Sequence, residues 1–171
     1  MPVRNLAVAA VFDEIADRLD IQGANAFRIR AYRNASRMLQ ELSGDIAAMV
    51  EQGRDLTELR GIGADLAGKI REIAATGSCE LLERLRREMP PAVTELLQIP
   101  GLGPKRVAVL WHDLDVQTPE QVLRAARDGR IRALSGFGEK TERRIESAVA
   151  AHLSKQRRMP LATAGHYADA L

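Results

Sequence analysis

Three pairs of glycines carry the first chemical signal: Gly61 with Gly63, Gly101 with Gly103, and Gly136 with Gly138. Each pair brackets one apolar residue and stands ahead of a stretch with helical spacing. Such a turn leaves backbone N–H groups uncovered at the positive end of a helix dipole, which is where a phosphate binds. Bases follow two of the pairs, as Lys105 with Arg106 and as Lys140. Four arginines, Arg28, Arg30, Arg33 and Arg37, lie close together with no acid among them. Arg30, Arg33 and Arg37 fall on one face of a helix, which suits a row of phosphates better than a solvated face that mixes signs. Contacts of this kind read no bases, so the expected ligand is nucleic acid held without sequence preference. A single lysine, Lys69, stands in mid-helix beside Ala67, Gly68 and Ile70.

Other chemistries find no support. Asp113-Leu114-Asp115 has metal-pair spacing, but it ends a helix just before a Thr118-Pro119 cap and reads as a helix terminus. His112, His152, His166 and Cys79 share no ligand spacing, so no metal site of that kind is expected. The phosphate loop of nucleotide hydrolases is missing.

The elements that must position these residues are helices. Apolar residues make up 46% of the 171 residues and aromatic ones only 4%, a balance that favours packed helices over a sheet sandwich. Helical spacing runs through residues 5–20, 26–42, 64–77 and 79–89, and again through 91–99, 103–114, 118–129 and 139–153. No alternating window competes, and the predicted fold is all-α. Pro90 and Pro91 divide it into two small modules, 1–89 and 90–154, with 155–171 as a linker. The net charge of +2 places any basic surface in local clusters. No apolar run reaches the roughly 18 residues of a membrane span. With one cysteine and no secretory leader ahead of the first helix, the expected setting is the cytoplasm.

The glycine pairs belong to one repeat: hydrophobic-x-Gly-hydrophobic-Gly, in the copies Leu59–Gly63, Ile99–Gly103 and Leu134–Gly138. Each has a short apolar helix expected before it, DLTEL, VTELLQI and IRAL, and a helix after it. The residue between the glycines (Ile62, Leu102, Phe137) is expected to tuck between the two helices. Gly103 and Gly138, where turn meets helix, are expected to be required both for backbone conformation and for close approach of phosphate.

These repeats look like helix-hairpin-helix motifs, and their order resembles the N-terminal region of family X DNA polymerases, bacterial members especially. NAFRIRAYRNASRML resembles the family helix with an A-Y-R-x-A pattern, here Ala31 to Ala35; LRGIGADLAGKIREIAATG resembles its first hairpin and lyase helix. IPGLGPKRVAVLW and LSGFGEKTERRI resemble the hairpin of the fingers subdomain and a further bacterial one. The resemblance implies a lyase-like module followed by fingers, acting as a monomer in DNA repair, base excision repair included, on gapped, nicked or 5′-phosphorylated duplex. It puts Lys69 at the Schiff-base lysine of a deoxyribose-phosphate lyase, Tyr32 at a pocket tyrosine and Arg28 at a phosphate-binding position. A Schiff-base amine must be unprotonated, so burial and neighbouring arginines are expected to lower its pKa. Asp65, Gly68 and Leu81 depart from that pattern, Asp65 standing where active lyases carry a lysine. PLATAGHYADAL resembles the helix leading to the family's palm; Mg²⁺ and nucleotidyl transfer are implied only with a palm. Resemblance to other helix-hairpin-helix proteins implies a K⁺ or Na⁺ ion at hairpin carbonyls and no other cofactor. The competing reading is a helical adaptor that binds protein, which predicts no salt-dependent DNA binding.

Overall fold

A computed structural model describes the backbone of residues 3–170 and the side chains of residues 4–157. Among the described residues there are nine α-helices, one short 3-10 helix and no strand. The chain falls into two compact units, Met1–Met89 and Pro90–Leu171.

The first unit contains α1 (Val3–Ile21), α2 (Ala26–Glu41), α3 (Ile46–Glu51), α4 (Ala64–Thr76) and α5 (Glu80–Glu88), with a 3-10 helix at Leu56–Glu58. Phe12, Ile15 and Leu19 of α1 share one core with Tyr32, Ala35 and Leu39 of α2, Ile70 and Ile73 of α4, and Leu82 and Leu85 of α5. Phe12 meets Tyr32 edge to face, ring centres 5.5 Å apart, which fixes the Tyr32 ring more firmly than area burial alone. Polar residues set the ends of the helices. Asn25 and Asp45 cap α2 and α3 by accepting from Phe27 N and Ala47 N, and Gly77 closes α4 at φ 87°. Asn5, fully buried, donates to Gly44 O and accepts from Ile46 N, both at 2.8 Å, so α1 supplies the hydrogen bonds that the loop after α2 lacks. Glu14 joins α1 to α5 through a two-pronged contact with Arg86 at 2.8 Å. Those hydrogen bonds hold its carboxyl below the usual range against the opposing effect of burial.

The second unit contains α6 (Pro91–Leu96), α7 (Pro104–Leu114), α8 (Pro119–Arg127) and α9 (Glu139–Ala170). Its core is aliphatic: Val93, Leu96, Leu102, Val107, Leu110, Val122, Ile131, Ile145 and Val149 are all buried. Thr118 and Gln121 form a reciprocal capping box ahead of α8. Asp115 ends α7 in the left-handed region at φ 53°, so the Asp113–Asp115 pair is indeed a helix terminus.

One expectation needs correcting. The IRAL segment before the third glycine pair is a series of turns, not a helix. One turn into α9, Glu142 is buried and accepts from both Arg132 N and Arg132 Nε at 2.8 Å, which ties these turns to the helix. Its matching positions, four residues after the second glycine, are the buried Ala67 and Val107 in the other copies. Helix α9 continues through the residues expected as a linker, as far as Ala170.

Candidate nucleic-acid interface

The glycine turns adopt one backbone three times. The first glycine is left-handed in each copy, with φ 80° at Gly61, 89° at Gly101 and 83° at Gly136. The apolar residue then donates back to the start of the motif: Ile62 N to Leu59 O, Leu102 N to Ile99 O and Phe137 N to Leu134 O, at 3.1, 3.0 and 3.1 Å. The second glycine begins the helix, its carbonyl accepting from Ala67 N, Val107 N or Glu142 N.

The second glycine differs from expectation. Gly63 and Gly103 sit at φ −90° and −77°, open to any residue, and Gly138 is likewise outside the left-handed region. A Cβ added at any of the three would meet nothing within 4 Å. No demand inside the protein therefore requires glycine there. The uncovered N–H groups of α4, α7 and α9 lie beside that open space.

Charge around the turns is uneven. Helix α7 has no acid in its first turn and carries Lys105 and Arg106 there. Helix α4 has Asp65 in that turn. Helix α9 has Glu139, but that carboxylate is paired with Arg143. Lys140, Arg143 and Arg144 border a shallow groove beside Pro100 of the second turn. Arg106, exposed, lies back over the turns, its Nη1 donating to Gly101 O at 2.9 Å and its guanidinium lying 5.8 Å from the centre of the Phe137 ring.

In the first unit the arginine row splits. Arg33 pairs with Asp17 at 3.0 Å and Asp20 at 3.8 Å, leaving it half-buried against α1. Arg30 and Arg37, on the same face of α2, stay exposed. Arg37, Asn34 and Arg60 border a pocket of about 240 Å³ beside Gly61. Arg28 lies instead on the Tyr32 side, close enough to act on the Tyr32 hydroxyl. Two residues were not singled out in the sequence. Arg60, the second residue of the first turn, was legible only as its variable position. Phe27, 76% exposed with Arg30 5.5 Å from its ring centre, looks like an ordinary core aromatic until its helix is oriented.

Lys69 lies at Tyr32 as the resemblance implies, but its charge state is the reverse of the expectation. Its Nζ donates to Asp65 Oδ1 at 2.7 Å. Burial acts to lower the lysine pKa, but the Asp65 hydrogen bond, Tyr32 and the Asp65 charge together outweigh it and hold it above the usual range. Leu81 faces the core, and Cys79 next to α5 is buried with its thiol pKa raised by that burial. Among the described residues no cluster of His, Cys, Asp and Glu could hold a metal ion, and no helix is long and apolar enough to cross a membrane.

A left-handed glycine, an apolar apex and a second glycine opening a helix, repeated three times, are the features of the helix-hairpin-helix motif. Family models agree: residues 3–79 match a helix-hairpin-helix domain and residues 93–149 a SAM-like helix-hairpin-helix tandem. The chain is also 30% identical over 154 residues to the N-terminal part of the DNA polymerase/3'-5' exonuclease PolX of Bacillus subtilis (strain 168). That match covers 90% of this chain and 26% of the relative, so the chain spans about a quarter of that protein's length.

Proposed function

We propose that this chain binds DNA through its phosphates and without sequence preference, on gapped or nicked duplex, as the DNA-holding part of a repair system of the family X type. The observation that carries this reading is the second glycine of each hairpin: its conformation and surroundings admit a side chain, yet all three copies leave the space open. A phosphate approaching the first N–H groups of the helix needs that space. Exposed Arg28, Arg30, Arg37, Lys105 and Lys140 supply the sequence-independent attraction. Phe27, with Arg30 against its ring, offers a face on which an unpaired base at a gap can stack. The similarity to PolX supports the polymerase setting. Within this reading the chain acts as a monomer, and a K⁺ or Na⁺ ion at a hairpin carbonyl bridges to phosphate.

Lys69 takes part as a cation rather than a nucleophile, because the Asp65 carboxylate keeps it protonated and presents a negative charge to any 5′-phosphate. The test is fluorescence anisotropy with gapped and intact duplexes of unrelated sequence, from 50 to 300 mM salt. Affinity should fall steeply along a straight log–log line, with a slope of about −0.9 for each phosphate neutralised. Equal affinity at both ends of that range removes the reading and returns the helical adaptor.

A further inference from the structure

Arg106 is exposed, yet its guanidinium is engaged by two of the protein's own turns. It stands three residues after the second glycine, where the other copies carry Leu66 and Thr141. One edge of its guanidinium bonds Gly101 O, the carbonyl of the left-handed residue in the second hairpin. Its carbon lies 5.8 Å from the ring centre of Phe137, the apex of the third hairpin. That apex is unlike the others. Ile62 and Leu102 are 4% and 1% exposed and belong to the cores of their units, whereas Phe137 is only half-buried. A planar guanidinium can donate at its edge while its face lies against an aromatic ring; an ammonium lacks both the plane and the fork. Arg106 thus contacts both turns.

We infer that Arg106 is a positioning strut between the second and third hairpins, bonding the turn of one and stacking on the apex of the other, so that Gly103 and Gly138 present their phosphate sites together. This rests on the proposal that the hairpins hold DNA phosphates. It reassigns Arg106 itself, which its place after the turn suggests as a phosphate ligand. The strut adds no charge contact to DNA; it lowers the freedom of two sites that must be occupied together, which is how preorganisation raises affinity.

The two roles separate in measurement. Arg106→Gln removes the charge, Arg106→Lys keeps it without the plane, and Phe137→Leu removes the ring. Binding to a nicked duplex is followed against salt, with circular dichroism as a check on folding. For a strut, both arginine variants lose about threefold to tenfold in affinity at unchanged salt slope. Phe137→Leu loses a similar factor, and the Arg106→Gln/Phe137→Leu double variant is no weaker than the weaker single. A shallower slope by about 0.9 in Arg106→Gln, near-native binding by Arg106→Lys and additive losses overturn the strut and make Arg106 a phosphate ligand. A readout without DNA keeps the test separate from the functional reading. The Arg106 Nε–H resonance should move in Phe137→Leu as the ring current is lost, and an unmoved resonance overturns the strut even if DNA binds. A wild-type chain that binds no DNA overturns the functional reading instead, and with it the strut's part in binding.

Discussion

The first and second hairpins share a backbone and differ in what surrounds it. Leu59–Gly63 and Ile99–Gly103 have the same left-handed first glycine, the same hydrogen bond across the turn and the same extended second glycine. After the first turn comes Asp65, paired to Lys69; after the second come Lys105 and Arg106 with no acid in the first turn of the helix. A helix N-terminus attracts an anion whether it arrives on a ligand or stands on the chain. In the first hairpin a carboxylate of the protein already occupies that field, and in the second the field is left for a ligand and reinforced. Identical turns therefore need not be equivalent sites, and charge one turn further on ranks them.

The strongest break in this contrast is to give the second hairpin the charge of the first. Lys105→Glu should lower affinity for duplex DNA by about tenfold or more at 50 mM salt and flatten the salt slope, because one attraction becomes a repulsion. Filling the approach space should come next. Threonine caps a helix about as well as glycine, so Gly103→Thr should melt within about 2 °C of wild type, yet lose about tenfold in affinity by anisotropy. Gly63→Thr should be nearly silent in the same assay, and an equal loss at both glycines would erase the ranking.

Stability should not follow the ranking at all. Gly61→Ala and Gly101→Ala each place a Cβ at positive φ, so each should cost about 1 kcal/mol or more by denaturant unfolding, similarly in the two turns. Unlike costs would mean that the shared backbone is held differently. A small change on binding is expected of Asp65→Asn, a gain of about twofold as the carboxylate disappears. The same variant frees Lys69 from its counter-ion, so borohydride trapping on abasic DNA should rise above a wild-type level near background. Efficient trapping by the wild-type chain would show that Lys69 reaches its neutral form despite Asp65.

Much of this was legible in the sequence because it is local. Helical spacing, the Thr118 cap and the three glycine pairs depend on residues a few positions apart, and each stands where that spacing puts it. The illegible features depend on partners brought by the fold. Arg33 reads as part of an exposed row until α1 presents Asp17 and Asp20 to it. The lysine at Tyr32 reads as a buried amine with a lowered pKa, but one turn back on the same helix Asp65 reverses the sign. The motif also hides which glycine does which work. Both are invariant across the copies, yet the first answers to backbone conformation and the second to space outside the protein.

The buried Glu142 has a consequence for how such repeats are counted. Its carboxyl is held below the usual range: burial opposes this, but the Arg132 backbone and side-chain hydrogen bonds prevail. The stabilisation is therefore present above the unfolded-state pKa of about 4.3 and disappears as pH falls through the lower folded value. The segment that presents Gly136 and Gly138 is thus tethered by a residue outside the five-residue pattern that defines it. A lineage that lost this glutamate would keep a perfect glycine signature over a turn no longer fastened, and a pattern search would still score three hairpins where two remained.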